Sequence, residues 1–237
     1  MSSAIPSIFF ESSKLTPDDE RIPQMTAYIE ALLTENTIHN LTGITNLDQI
    51  WKRHILEAIM LERFIPAEKP LIDVGSGGGI PGIPLAIMRP DLHITLLEAT
   101  GKKAAFLTRV TEQLNLNNLT VENRRAEDAG QLFFLREQFD FATCKALGAL
   151  PEILELCIPL LKVGGHFLAI KGKRAQAEMQ QAQQALTTLN AQFLSNQPLI
   201  PSDPTSESRV LDIIKKETTP DKYPRRSGMP KKRPIGN

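Results

Sequence analysis

An acid stands two residues ahead of three alternating glycines in Asp73-x-Gly75-x-Gly77-x-Gly79, directly behind the apolar residues Leu71, Ile72 and Val74. Such an apolar run reads as a buried strand of a parallel sheet, and the small residues after it read as a turn into a helix. Glycine accepts positive φ and leaves no Cβ in the way, so a ligand can lie against the loop backbone and the amides that open the next helix. Glycines at 75, 77, 78 and 79 exceed what a plain turn requires, which points to a cofactor cradle.

Two cofactor classes compete for it. Gly77, Gly79 and Gly82 satisfy the dinucleotide pattern G-x-G-x-x-G in form, but Pro81 sits inside it. The acid before the first glycine favours a ligand with cationic groups, as in the acid-x-Gly-x-Gly-x-Gly loop with which methyltransferases hold S-adenosylmethionine. Glu98, 23 residues after Gly75 at the end of a second apolar run, stands where Rossmann-like folds place an acid for ribose hydroxyls. At a third strand end, Ala126 and Glu127 offer a flat contact and a hydrogen-bond acceptor for an adenine ring, or equally a helix cap. Lys145, after a fourth strand, is a cation at the expected switch-point crevice, suited to a phosphate, the donor or a target base.

The elements that position these residues follow from periodicity and breakers. Helices are expected over residues 17–38 and 48–64, ahead of the sheet, with apolar residues at helical spacing and Pro66 ending the second. His54 on the second helix has no carboxylate or cysteine at ligand spacing and reads as a packed or surface histidine. Strands are expected at 71–74, 93–98, 119–123, 139–144, 166–171, 193–199 and 209–215, with helices at 82–88, 102–114, 151–161 and 174–189 and a turn at Gly164-Gly165. The expected fold is α/β, a Rossmann-like, mostly parallel seven-stranded sheet. Its parts are a helical extension over 1–66, the sheet domain over 67–219 and a basic, proline-rich arm over 220–237.

Composition agrees with one decorated domain: 237 residues, 41% hydrophobic and 23% charged. No apolar run is long enough to span a membrane, the stretch Met1–Ile8 lacks the features of a leader, and Cys144 and Cys157 offer no disulfide framework, all pointing to the cytoplasm. The balance of 27 basic and 27 acidic residues hides an asymmetry. Six bases and no acids fall from Lys222 onward, leaving 21 bases against 27 acids before it. Such a patch attracts a polyanion, and Pro224, Pro230 and Pro234 are expected to stiffen it into an extended arm.

Absent motifs narrow the chemistry. The loop after the fourth strand reads Cys144-Lys145-Ala146-Leu147, not the Asp/Asn-Pro-Pro-aromatic of exocyclic-amine methylation. Cys144 lacks the adjoining proline and the activating partner of a pyrimidine carbon-5 nucleophile, and reads as a buried thiol. Guanine N7, by contrast, carries an available lone pair and asks a site only to position, desolvate and balance charge.

Together, Asn40-Leu41-Thr42, Arg53-His54-Ile55, Asp73-Val74-Gly75, Gly79-Ile80-Pro81-Gly82, Gly101-Lys102-Lys103, Ala169-Ile170-Lys171 and Tyr223-Pro224-Arg225-Arg226-x-Gly228-x-Pro230-Lys231 resemble the RsmG (GidB) family of bacterial 16S rRNA guanine-N7 methyltransferases. The resemblance implies a class I methyltransferase fold, S-adenosylmethionine as donor, and guanine 527 of 16S rRNA in the 30S subunit as acceptor. By motif, Asp73, Gly75, Gly77, Gly79 and Ile80 belong to the donor site, Glu98, Ala99 and Thr100 flank its ribose, and Ala126 and Glu127 meet the adenine. Lys145 stands where the family usually has arginine; it keeps the charge without the planar fork and is the expected catalytic-site cation, in contact with both donor and target. Arg125, Lys171 and Arg209 are the expected RNA- or site-facing cations. A non-catalytic RNA-binding assembly factor and a nicotinamide-dependent oxidoreductase are the competing readings.

Overall fold

A computed structural model describes residues 5–236; residues 1–4, part of the stretch read for a leader, lie outside the described residues. Its centre is a seven-stranded sheet: β1 (Pro70–Val74), β2 (His93–Glu98), β3 (Leu119–Asn123), β4 (Phe139–Lys145), β5 (Leu161–Lys171), β6 (Ala191–Pro198) and β7 (Arg209–Lys215), in the order β3-β2-β1-β4-β5-β7-β6. β1 to β5 run parallel, while β7 lies antiparallel to both β5 and β6. The chain winds outward from β1 in one direction to β3 and resumes in the other at β4, so a crevice opens between the C-terminal ends of β1 and β4.

Side chains alternate between the two faces of the sheet, as a pleated strand requires. Leu71, Leu96 and Phe141 join one buried cluster, and Ile72, Leu97 and Ala142 join the other. The first face is covered by α1 (Ser7–Ser13), α2 (Arg21–Asn36), a helical run from Leu47 to Phe64, α5 (Gly82–Met88) and α6 (Gly101–Gln113). The run is built from α3 (Leu47–Ile50), a π-helical turn (Trp51–Leu56), α4 (Glu57–Ile59) and a 3₁₀ turn (Met60–Phe64). The second face is covered by α7 (Ala126–Ala129), α8 (Leu150–Cys157), α9 (Ala175–Gln181) and α10 (Gln183–Thr188), and α11 (Met229–Lys232) packs on α8. Among the described residues no helix is long and apolar enough to cross a membrane.

The N-terminal helices are integral to this core. Phe9 of α1, with no exposed surface, meets Trp51 edge-on at 4.9 Å, and the buried Tyr28 hydroxyl of α2 donates to the Gly78 carbonyl at 2.8 Å. The helix α1 itself was not anticipated. α2 begins at Arg21, not 17, because the Asp19 carboxylate accepts both the Arg21 amide and its guanidinium and holds the preceding residues in a turn. β5 begins at Leu161, so Gly164 (φ +85°) and Gly165 form an irregularity inside the strand and not a turn ahead of it. The helix expected at 174–189 is two, broken at Ala182, whose amide is shared between the Glu178 and Met179 carbonyls.

The C-terminal segment also departs from expectation. It is not an extended arm: it turns back on the body, with Pro224, Pro230 and Ile235 buried, because Arg225 is captured by the fully buried Glu155 carboxylate of α8.

Candidate active site

A cavity of about 660 Å³ opens at the C-terminal ends of β1, β2 and β4. One end is backbone. Gly75 (φ +73°) and Gly77 (φ +57°) hold left-handed conformations, and a Cβ on Gly75 would stand 2.5 Å from Leu147 Cδ1, which packs against it. Gly75 and Ser76 amides donate to the Leu97 carbonyl, fastening the loop to β2. Below it, Asp73 accepts the Gly82 amide at 3.1 Å and ties the loop to α5. Asp73 is wholly buried, its Oδ1 has no partner, and burial raises its pKa from 3.8 to about 7.

Along β2 and β3, Glu98 and Ala99 line the wall, as do Arg125, Ala126 and Glu127. Each Glu98 oxygen accepts one amide, from Gly77 at 2.9 Å and Thr100 at 2.7 Å, which fixes the carboxylate and leaves each oxygen further acceptor capacity. Glu127 is buried and takes the Gly228 amide on Oε1 at 2.8 Å. Arg125 is exposed at the rim.

The opposite end is made of side chains. Lys145 Nζ meets Glu57 Oε2 at 2.8 Å and also donates to the Arg53 carbonyl; Glu57, 1% exposed, takes Arg53 Nε on Oε1 at 2.9 Å and the Ser208 hydroxyl. Burial pushes the Lys145 ammonium below its usual value, and Glu57 opposes that shift. His54 lines the cavity with its Nε2 2.7 Å from Thr42 Oγ1, and Thr42 Oγ1 also accepts the Ile44 amide. Burial, with the Lys145 charge second, lowers the His54 pKa to about 4, so the ring is neutral at pH 7. The stretch that carries Thr42 is itself pinned by Asn36, whose side-chain oxygen accepts the Leu41 and Thr42 amides. Arg53 and His54 both sit on the π-helical turn, a device common at functional sites.

Gly75, Gly77, Ile80, Glu98, Ala99, Arg125, Ala126, Glu127 and Lys145 thus meet around one cavity. Asp73, Gly79 and Thr100 lie behind its wall, supporting the loops that form it. Lys171 and Arg209 are not brought to it. Lys171 Nζ is spent on the Gly148 carbonyl at 2.6 Å and Glu178 at 2.8 Å, and the Arg209 guanidinium is bound to the Asn196 side chain and carbonyl. They face each other as register partners on β5 and β7, beyond the cavity wall. Sequence reasoning passed over Glu57 and Glu152, and took Lys231 only as one base of the arm. Glu57 had a readable signal, lying four residues after Arg53 on a helix; Glu152 and Lys231 reach the cavity only through the tertiary fold.

The parallel sheet with an antiparallel β7, and a glycine cradle at its switch point, define a class I methyltransferase fold. It aligns with a SAM dependent methyltransferase from Aquifex aeolicus over 71% of this chain and 94% of that one, at TM-score 0.55 and 13% identity. It also aligns with M. jannaschii TYW2 in complex with AdoMet over 74% and 80%, at TM-score 0.53 and 15% identity. At such identities these likenesses carry the fold alone.

The family is given by closer relatives. The GidB family model, described as rRNA small subunit methyltransferase G, matches residues 21–200. The chain is 37% identical over 222 residues to Ribosomal RNA small subunit methyltransferase G of Alkaliphilus metalliredigens, covering 92% of each. It is 38% identical over 226 residues to its namesake from Leuconostoc citreum, covering 93% of this chain and 94% of the relative. The chain belongs to the rRNA small subunit methyltransferase G family.

Proposed function

We propose that the protein transfers a methyl group from S-adenosylmethionine to N7 of one guanine in 16S rRNA, guanine 527 by family resemblance, within the 30S subunit or its RNA. The observation that carries this reading is the two-ended cavity, a backbone cradle at the ends of β1 and β2 facing Lys145 at the end of β4, which the buried Glu57 holds from behind the wall.

The residues present fit the donor. Gly75, Gly77 and Gly78 line the cavity with bare backbone, and the fixed Glu98 carboxylate keeps acceptor capacity for ribose hydroxyls. The volume falls within the roughly 300–1,000 Å³ typical of small-molecule sites. When bound, S-adenosylmethionine supplies a methyl group on cationic sulfur, which the N7 lone pair displaces, so positive charge passes from sulfur to the base.

A base acquiring positive charge calls for an electrostatically balanced site, and this end supplies one. Glu57 offsets the Lys145 charge at 2.8 Å, and the neutral His54 adds none. Lys145 Nζ has three donors; Glu57 and the Arg53 carbonyl take two, leaving one for guanine O6, the acceptor beside N7. A donor on O6 holds the base while leaving the N7 lone pair free. The exposed Arg125 and the neighbouring Arg124 hold the RNA backbone at the rim, and the base enters unstacked from its helix.

The test is methyl incorporation from labelled S-adenosylmethionine into 16S rRNA, in 30S subunits and as protein-free RNA, with the modified base mapped. Label at N7 of a single guanine is expected. Donor binding with no label in either substrate would favour the assembly-factor reading; NAD binding with no donor binding would favour the oxidoreductase.

A further inference from the structure

The bases of the C-terminal segment invite assignment to RNA, but its contacts are turned inward. The Arg225 amide and Nε both donate to Glu155 Oε1 at 2.8 Å, and Nη2 donates to Oε2 at 2.6 Å. Glu155 has no exposed surface, so this forked pair holds a charge that would otherwise be buried alone. On one side of it, Gln131 Nε2 donates to the Asp221 and Pro224 carbonyls and the Arg136 guanidinium donates to those of Thr219 and Tyr223. On the other side Ile235 enters the core on the α8 face. The stretch between these anchors is held against the cavity. The Gly228 amide donates to Glu127 Oε1 at 2.8 Å, and Gly228 and Lys231 line the cavity beside Ala126 and Glu152.

We infer that the C-terminal segment is part of the donor site, a clamp on the adenosine half of S-adenosylmethionine, and that Arg225 is the residue that positions it. This rests on the reading that the cavity takes that donor. The clamp closes the Ala126–Glu127 end and orients the Glu127 carboxylate through the Gly228 amide. Besides the cavity-lining Lys231, the cations exposed on the segment, Lys222, Arg226, Lys232 and Arg233, are placed to meet RNA on the same piece of chain.

Binding of S-adenosylmethionine and of 5′-methylthioadenosine, which keeps the adenosine half without the amino-acid half, is measured by calorimetry without RNA, well below each variant's melting temperature. For Arg225→Ala both ligands are expected to lose about tenfold in affinity, about 1.4 kcal/mol. Arg225→Lys, keeping charge but not the fork, is expected to lose about threefold. Arg226→Ala is expected to stay within about twofold of wild type. Unchanged affinity in folded Arg225→Ala overturns the inference, as does a loss confined to S-adenosylmethionine. Should Arg225→Ala not fold, Arg225→Lys carries the test, and unchanged affinity there overturns it. A wild-type protein that binds neither ligand would instead sink the cofactor reading.

Discussion

The two ends of the cavity are built from different materials. At the glycine end, contacts come from backbone amides of one contiguous loop, Gly75 to Gly79, held by Leu97, Glu98 and Tyr28. At the Lys145 end they come from side chains of segments far apart in sequence, Thr42, Arg53, His54 and Lys145, with Glu57 and Ser208 holding Lys145 and Arg53 from behind the wall. A backbone cradle constrains residue type at each position and so leaves a local motif. A side-chain cluster constrains only which groups meet. The first restricts residue type at its positive-φ glycines, Gly75, Gly77 and Gly79; the second can be altered one charge at a time.

The largest effect that would sharpen this contrast is expected at Gly75. Valine there would have to adopt φ +73° with its Cβ against Leu147, and strain of this kind costs roughly 1–3 kcal/mol before any clash with the ligand. Gly75→Val should lower donor affinity by about 100-fold in a calorimetric titration; a loss below threefold would break the cradle assignment.

A smaller effect is expected from His54. Its pKa is near 6.5 unfolded and about 4 in the fold, so between those values the unfolded chain binds more protons. The stability gained by keeping the ring neutral is full above pH 6.5 and is lost as pH falls toward 4. Asp73 acts oppositely: its pKa rises from 3.8 to about 7, so its contribution declines as pH rises through that range. The two are separated by comparing wild type with His54→Asn in urea unfolding. On going from pH 7.5 to pH 5, wild type should lose about 2 kcal/mol of stability relative to the variant, with the Asp73 contribution common to both. Equal slopes would mean that the ring titrates in the fold as it does in the unfolded chain.

The smallest effects on binding are expected outside the cavity. Lys171→Ala and Arg209→Ala should leave donor affinity within about twofold of wild type, while Lys171→Ala lowers the melting temperature because Glu178 loses its partner. A tenfold loss of donor affinity in either variant would return that residue to the site.

What could be read from sequence follows the same division. All seven strands, the cradle and the acids at the ends of β2 and β3 were legible, because period-2 apolar runs and glycine spacing are local signals. The order of the strands was not read, nor was the inward turn of the basic segment. Six bases without an acid suggest a solvated arm until a buried carboxylate elsewhere, Glu155, is known to face Arg225. His54 reads as a packed or surface histidine because no carboxylate or cysteine stands at ligand spacing and its partner Thr42 belongs to a separate loop, and Lys171 and Arg209 read as RNA- or site-facing cations because the sequence does not show Glu178 and Asn196 as their partners.

The measurement that tests the division most directly is single-turnover methylation of 16S rRNA at saturating donor by Lys145→Met, made beside its donor affinity. If Lys145 serves the acceptor end as proposed, the rate should fall on the order of 100-fold, as when one preorganised donor is removed from a reacting centre, while donor affinity stays within about threefold. A rate that is unchanged, or a donor affinity that falls in step with it, would contradict the separate roles of the two ends.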